Sequence, residues 1–321
     1  MPSTGDWKVS AAEQPRPEDY AYDLDRVLQA VAGLRATMPP DAFTAETLGT
    51  ERTGHAVQIR EGGLFLTIGY LITEAEQIWL HLADGRAVAG TPLGIDQATG
   101  FGLVQALGRV DLPVLPLGNS GKVEFGESVV VAGAGGRKRS VAAQVVGKQE
   151  FAGYWEYVLD EAIFTAPSHP NWGGTALIGA KGELLGIGSL QLEASEDRDI
   201  NMMVPIDLLK PILDDILSFG GRKGPARPWL GMYVADTEQR LVVMALANRG
   251  PAQRAKVEAG DIVLAVNGES VESLADLFRR IWMTGDAGVG VPLTLLRDGR
   301  TIDVVVKSAD RNAFLKTPRM H

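Results

Sequence analysis

From residue 54 to about 217 the chain is built of short apolar runs, broken by Gly, Pro, Asp and Asn. Examples are 64–67, 77–82 followed by Ala-Asp-Gly at 83–85, 127–131 and 157–159. Runs of this length with turn residues between them predict an all-β sandwich or a set of barrels. No heptads, no alternation of strands with helices and no repeat of solenoid period appear. Ahead of this region, the polar, proline-containing residues up to 16 carry no period and predict a mobile start. Leu24, Val27, Leu28, Val31 and Leu34 then recur at helical spacing, which predicts an amphipathic helix that Pro39-Pro40 stops. Its stripe is expected to pack on its own chain, with a second copy as the alternative.

A further helix is predicted over 207–219, with Ile206, Leu208, Leu209, Ile212, Leu213 and Ile216 as its apolar side. Gly-Gly-Arg-Lys-Gly-Pro-Ala at 220–226 is a linker by composition. Strands at 230–234 and 241–246 follow, then a helix opening at Ser273 with Leu274, Leu277, Phe278 and Ile281 on one face. A hairpin at 293–306 turns at Asp298-Gly299. The expected division is 1–48 (tail and helix), 49–219 (β domain), 220–226 (linker), 227–310 (second domain) and 311–321 (frayed tail).

Composition narrows the functional classes. The chain has 321 residues, 45% hydrophobic and 22% charged, enough for two or three domains. Its 38 glycines and 17 prolines fit a turn-rich β architecture. A formal net charge of -9 argues against nucleic acid or an anionic membrane as partner. There is no cysteine, hence no disulfide, thiolate nucleophile or cysteine-zinc site. Four histidines without a His-x-x-x-His pair make a metal site unexpected, and His55 and His81 are expected to be core or surface residues. The glycine run at 133–136 lacks a Gly-Lys-Ser/Thr ending and precedes a strand, so it is expected to be a loop rather than a phosphate cradle. No cofactor is expected. The first residues lack a basic segment followed by an apolar one, and no run is long enough to span a membrane.

One stretch carries candidate chemistry: Ser-His-Pro-Asn-Trp-Gly-Gly-Thr-Ala-Leu at 168–177, followed by Gly-Glu-Leu-Leu-Gly-Ile-Gly-Ser at 182–189. It resembles the nucleophile turn of the HtrA/Deg family of trypsin-like serine proteases, where Gly-Asn-Ser-Gly-Gly-Pro-Leu precedes a Gly-Glu-Val-Ile-Gly strand. The resemblance implies a mainly β fold, a trypsin-like double six-stranded barrel followed by a PDZ domain, here with an N-terminal helix. It implies that the serine position is Trp172, whose indole cannot attack a carbonyl. It also implies that the oxyanion-stabilising glycine is replaced by Pro170, which has no N–H. In the family a Leu-Thr pair and two variable residues precede the general-base histidine. Leu66-Thr67-Ile68-Gly69 precedes Tyr70, a phenol with an ordinary pKa near 10. The aspartate position falls on Gly100, in the run that starts at Leu93-Gly94-Ile95-Asp96. Gly173 and Gly174 of the turn remain. Triad members act as a unit, so these replacements imply a fold kept without its chemistry. Trp172 is expected to fill the former cleft, or else to offer a stacking platform.

The run Ala-Gly-Asp-Ile-Val-Leu-Ala-Val-Asn-Gly at 259–268 carries the resemblance to a PDZ domain. There a loop of backbone N–H groups takes a peptide's C-terminal carboxylate, and the peptide adds a strand. The resemblance places Trp229, Leu230, Gly231 and Met232 in that loop, and Met232, Val234, Leu274, Leu277 and Phe278 along the groove or in the core beneath it. The implied protein is a pseudoprotease that binds peptide or protein C-termini as a scaffold or regulator. Two alternatives stand beside it. One is a serine endopeptidase with a rearranged site using Ser168 and His169, or Glu74 and Glu76, although no carboxylate is spaced to orient such a pair. The other is a regulatory subunit of an active protease homologue. A homo-oligomer, a trimer by family resemblance, is a further expectation. Because the family usually carries an export signal, the start of the chain implies a cytoplasmic protein, or a periplasmic one if the sequence is a mature fragment.

Overall fold

The computed structural model describes residues 7–195, 198–237 and 240–316. They fall into two compact units. One takes in residues up to Gln149, Glu161–Lys223 and the end from Lys316; the other takes in Glu150–Asp160 and Gly224–Leu315.

The first unit contains two closed barrels. Strands β1 (Val31–Thr37), β2 (Glu51–Arg60), β3 (Leu64–Ile68), β4 (Gln77–His81), β5 (Ala87–Ile95) and β6 (Phe101–Ala106) close in the order β1-β2-β3-β6-β5-β4. Strands β7 (Ser128–Ala132), β8 (Ser140–Gly153), β9 (Tyr157–Ala166), β10 (Ala176–Ile178), β11 (Leu184–Ser195) and β12 (Arg198–Pro205) close in the order β10-β11-β12-β9-β8-β7. Closure leaves no open sheet edge. Phe65, Leu66, Phe101 and Leu103 are fully buried in the first barrel. Val129, Val131, Val141, Ile163 and Met203 form the core of the second. Two short helices, α1 (Leu24–Leu28) and α2 (Ala45–Leu48), flank β1, and α3 (Leu213–Phe219) ends the unit with Leu213 and Ile216 buried.

Two expectations about the start of the chain are corrected. The helix predicted up to Pro39 is only α1, and residues 31–37 are strand β1, paired with both β2 and β4. Ala32, Leu34 and Ala36, which share one face of the strand, are buried, and so is Val31 on the other face. A stripe of five apolar residues over eleven positions fits helical spacing, but two lines of strand hydrogen bonds outweigh that local preference. Nor are residues 9–16 loose. Val9 is 5% exposed within the second barrel's core, its N–H donates to Lys138 O at 2.9 Å, and Glu13 O accepts from Ala142 N at 2.7 Å. Residues 1–6 of the expected mobile start and 317–321 of the expected frayed tail lie outside the described residues.

The second unit is a sheet in the order β13-β14-β15-β17-β18, from β13 (Met232–Thr237), β14 (Arg240–Leu246), β15 (Ile262–Val266), β17 (Gly290–Arg297) and β18 (Arg300–Lys307), with β16 (Glu269–Ser270) paired to β15. Helices α4 (Pro251–Arg254) and α5 (Leu274–Met283) accompany it. Helix α5 starts where expected: the Ser273 side chain accepts from Asp276 N, satisfying an orphan donor of the first turn. Asp298 and Gly299 both have positive φ, 49° and 74°, the conformation that a two-residue hairpin turn requires. Leu230, Val234, Leu277, Phe278 and Leu293 are buried in one cluster.

Candidate functional site

In the first unit the loop from Pro167 to Thr175, between β9 and β10, is fixed by contacts that only glycine permits. Gly174 has φ +78°, and a Cβ there would lie 1.9 Å from His55 O. Gly54 on β2 faces the same loop, with a Cβ position 2.5 Å from Gly173 O, and His55 N donates to that oxygen at 2.9 Å. Glycine is therefore needed on both sides of the contact.

Two buried imidazoles clamp the Asn171 peptide. His55 donates from Nε2 to Asn171 O at 3.0 Å while its Nδ1 accepts from Ala134 N at 3.0 Å. His169 accepts from Asn171 N at Nδ1, 3.1 Å, and donates from Nε2 to Arg139 O at 2.9 Å. Each ring is thus a neutral tautomer with both nitrogens satisfied. Burial lowers His55 to about 3 and His169 to about 4, because water is absent to solvate an imidazolium. With both nitrogens engaged by backbone, His169 has no lone pair left for Ser168. Glu74 accepts from Phe43 N, Thr44 N and Oγ1, and Lys316 N, and its carboxylate is a structural acceptor.

Tyr70 sits on the 3-10 turn Gly69–Leu71 that follows β3. Its hydroxyl donates to Ser189 O at 3.0 Å and accepts a hydrogen bond from the Trp172 side chain. Burial raises the phenol well above its ordinary range, and the bond from Trp172 only partly offsets this. Gly100, with φ +81°, accepts from Gly69 N at 2.6 Å, one residue before Tyr70. Trp172 is half-buried and Pro170 is exposed. A Cβ on Gly173 would lie 2.7 Å from the Tyr70 hydroxyl, so it is residue 173 that faces the phenol. The N–H two residues before it belongs to Asn171 and is already given to His169. The structure thus brings Tyr70, Trp172, Gly173 and the Gly100 backbone into one neighbourhood.

A second polar focus lies in the second unit. The N–H groups of Leu230, Gly231 and Met232 converge on one carboxylate, that of Glu156, at 3.1, 2.7 and 3.1 Å. Glu156 is 9% exposed and follows β8 at the tip of its hairpin with β9. Gly231 has φ +73°, which turns the three amides to one side. Val234 N donates to Tyr154 O at 3.0 Å, so the hairpin tip also runs beside β13. Of the expected groove residues, Leu230, Met232, Val234, Leu277 and Phe278 are fully buried, Trp229 is 7% exposed, and Leu274 packs at the cluster's edge.

Comparison with known proteins decides the family plan. Residues 53–187 match the trypsin-like peptidase domain and residues 228–307 match the PDZ domain. This is an HtrA/Deg-like chain.

It is 29% identical over 273 residues to the probable periplasmic serine protease do/HhoA-like of Haemophilus influenzae, covering 79% of this chain and 58% of that protein. To the periplasmic pH-dependent serine endoprotease DegQ of Escherichia coli it is 27% identical over 348 residues, covering 96% of this chain and 75% of that one. Among solved structures, the HtrA-type protease AlgW with tripeptide superposes with a TM-score of 0.53 at 22% identity, over 92% of this chain and 97% of that one. The serine endoprotease from Yersinia pestis gives 0.53 at 24% identity, over 89% and 95%. These likenesses establish the fold. The HtrA/Deg-like chain spans somewhat more than half the length of the Haemophilus relative.

Sequence reasoning missed Glu156, which carries no motif and sits 74 residues from the loop it fills. It also passed over His55 as a loop clamp. The glycine pattern was a signal for the latter, since glycines at 54, 173 and 174 imply a close approach by a neighbouring strand.

Proposed function

We propose that this HtrA/Deg-like chain is a pseudoprotease, a non-catalytic binder of peptide or protein C-termini that acts through its PDZ domain. The observation that carries this is that Tyr70, Gly100 and Gly173 supply no imidazole, carboxylate or aliphatic hydroxyl, while the imidazoles of His55 and His169 beside them are both spent on backbone groups. We place the nucleophile seat at Gly173 rather than Trp172, because residue 173 is the one whose Cβ would face the Tyr70 hydroxyl. Trp172 then caps the phenol by its hydrogen bond. The lost oxyanion donor moves with it, from Pro170 to Asn171, whose N–H is spent on His169. Removing single triad members already costs several orders of magnitude in rate, and here every group is absent at once.

The three convergent amides of Leu230, Gly231 and Met232 support carboxylate recognition, since the group they already converge on is a carboxylate, that of Glu156. The partner proposed is therefore a chain end with a free carboxylate, and an active protease homologue or a second copy of this chain is a partner of that kind. The relatives' names say periplasmic serine protease, which favours the periplasmic alternative over a cytoplasmic one. Among the described residues no helix is long and apolar enough to cross a membrane.

The relatives' names also support a second reading, a serine endopeptidase with rearranged residues. One experiment separates the two. The purified chain is incubated with an unfolded, fluorescein-labelled protein substrate and, separately, with a fluorophosphonate probe. No cleavage and no labelled serine are expected. Cleavage that is abolished by Ser168→Ala, or a single labelled serine, would establish the endopeptidase instead.

A further inference from the structure

The carboxylate loop is occupied by the chain's own Glu156. Its side chain receives the three amides that a peptide's terminal carboxylate would need, and two residues earlier Tyr154 O takes the N–H of Val234 on β13. A carboxylate in the loop together with a backbone bond to the adjacent strand is the pair of contacts by which an added strand is held. The tip is packed as well as hydrogen-bonded. Val158 lies in the second unit's core cluster, with Ala152 against it. Tyr154 lies against Tyr233 with ring centroids 6.2 Å apart. Arg279 on α5 pairs with Glu150 and Asp160 on the two legs of the hairpin, both at 2.5 Å.

We infer that the hairpin tip at 153–156 is a ligand in cis for the PDZ loop, so that Glu156 holds the place of a partner's terminal carboxylate and must leave before one binds. The inference rests on the peptide-binding reading above and adds its regulation.

Glu156 sits at φ +62°, a conformation uncommon outside glycine, in the turn between the two strands of the hairpin. Several features make the contact releasable. The Arg279 pairs are solvent-exposed and stabilise little. The buried carboxylate has three donors but no cation within ion-pair distance among the described residues, and Arg311 acts on it only at longer range. An internal ligand needs little intrinsic affinity, because tethering supplies a high effective concentration. If the docked form holds about 90% to 99% of the population, the apparent affinity for an outside peptide falls about 10-fold to 100-fold.

The test uses the full chain, with Glu156→Ala, which removes the acceptor, and Glu156→Leu, which keeps the bulk without an acceptor, beside it. The probe is a set of N-terminally fluorescein-labelled decapeptides ending in Val, Leu, Ile or Phe, each with a free carboxylate and as its amide, read by fluorescence anisotropy. Amide hydrogen exchange at residues 230–232 is followed without peptide. Both variants are expected to bind the best free-carboxylate peptide at least 10-fold more tightly than the parent, the amides to bind none of the three proteins, and exchange at 230–232 to accelerate in both variants. Equal affinity for parent and variants, with exchange accelerated, would overturn the competition and leave the hairpin as a fixed brace. Exchange unchanged by both substitutions would overturn occupation of the loop itself. Accelerated exchange with no peptide bound by any of the three would overturn the peptide-binding reading, and the competition with it, while retaining the contact.

Discussion

The hydroxyl of Tyr70 stands 2.7 Å from the point where a Cβ on Gly173 would sit. The phenol and a side chain at 173 therefore exclude one another. Gly173→Ser is expected to destabilise the first unit by ~1–3 kcal/mol through overpacking, measured by urea unfolding. Tyr70→Phe removes the oxygen in the way, so the same Gly173→Ser change made in that background is expected to cost less, with a coupling of about 1 kcal/mol in the double-mutant cycle. Additive effects would show that residue 173 does not face the phenol.

Placing histidine, aspartate and serine at Tyr70, Gly100 and Gly173 is not expected to confer hydrolysis. Gly100 lies at φ +81°, where an aspartate is strained, and the Asn171 N–H points into His169. The combined variant Tyr70→His, Gly100→Asp, Gly173→Ser is expected to show no cleavage of an unfolded protein above the parent's background. Turnover in that variant would mean that backbone geometry poses no barrier.

At Gly174 an added methyl meets the His55 carbonyl at 1.9 Å, on a backbone already at φ +78°. Gly174→Ala is expected to cost more than about 3 kcal/mol, through strain and through separation of the loop from β2. A thermal midpoint within a few degrees of the parent's would refute this placement of the loop.

His55 and His169 give the first unit a defined acid sensitivity. Their folded pKa values, about 3 and about 4, lie below the unfolded value near 6.5. The unfolded chain therefore binds more protons between those limits, and stability is full above pH 6.5 and lost as pH falls toward 4. Urea midpoints of the first unit are expected to fall steadily from pH 7 to pH 4.5. His169→Gln lowers stability outright but is expected to flatten that slope. An unchanged slope in the variant would mean that the imidazole is not held neutral.

Glu156 should respond in the opposite sense. Burial pushes its carboxyl up to about 7, against the pull of the three amides and of Arg311. The docked hairpin thus binds a proton that the released one, with an ordinary value near 4.5, gives up. Docking is strongest at low pH and weakens as pH rises through 7. Exchange at Gly231, corrected for intrinsic rate, is expected to speed up between pH 6 and pH 8 in the parent and to show no such step in Glu156→Gln. A parent profile as flat as the variant's would remove this linkage.

Much of the architecture was legible from residues alone. The turn residues between short apolar runs announced an all-β sandwich or barrels, Ser273 marked the start of α5, and Asp298-Gly299 fixed the last hairpin, because each of these depends on neighbours close in sequence. Strand β1 was misread because its period was ambiguous, and only partners 14 residues or more away, on β2 and β4, decide it. The candidate site divided in the same way. Tyr70, Gly100 and Trp172 were expected from motif spacing alone, whereas it is the path of the loop across β2 that sets Gly173 against the phenol.

By itself the sequence determined the residue types at the heart of the first unit, a phenol at Tyr70, an indole at Trp172 and bare backbone at Gly100 and Gly173. It also determined that Gly231 can turn a run of amides outward, since that needs only a positive φ. What those amides face was decided by tertiary structure alone. Glu156 reaches them through the packing of Val158 and Ala152 into a core formed mainly by residues beyond 224, and a carboxylate without a motif shows no such destination until the chain is folded.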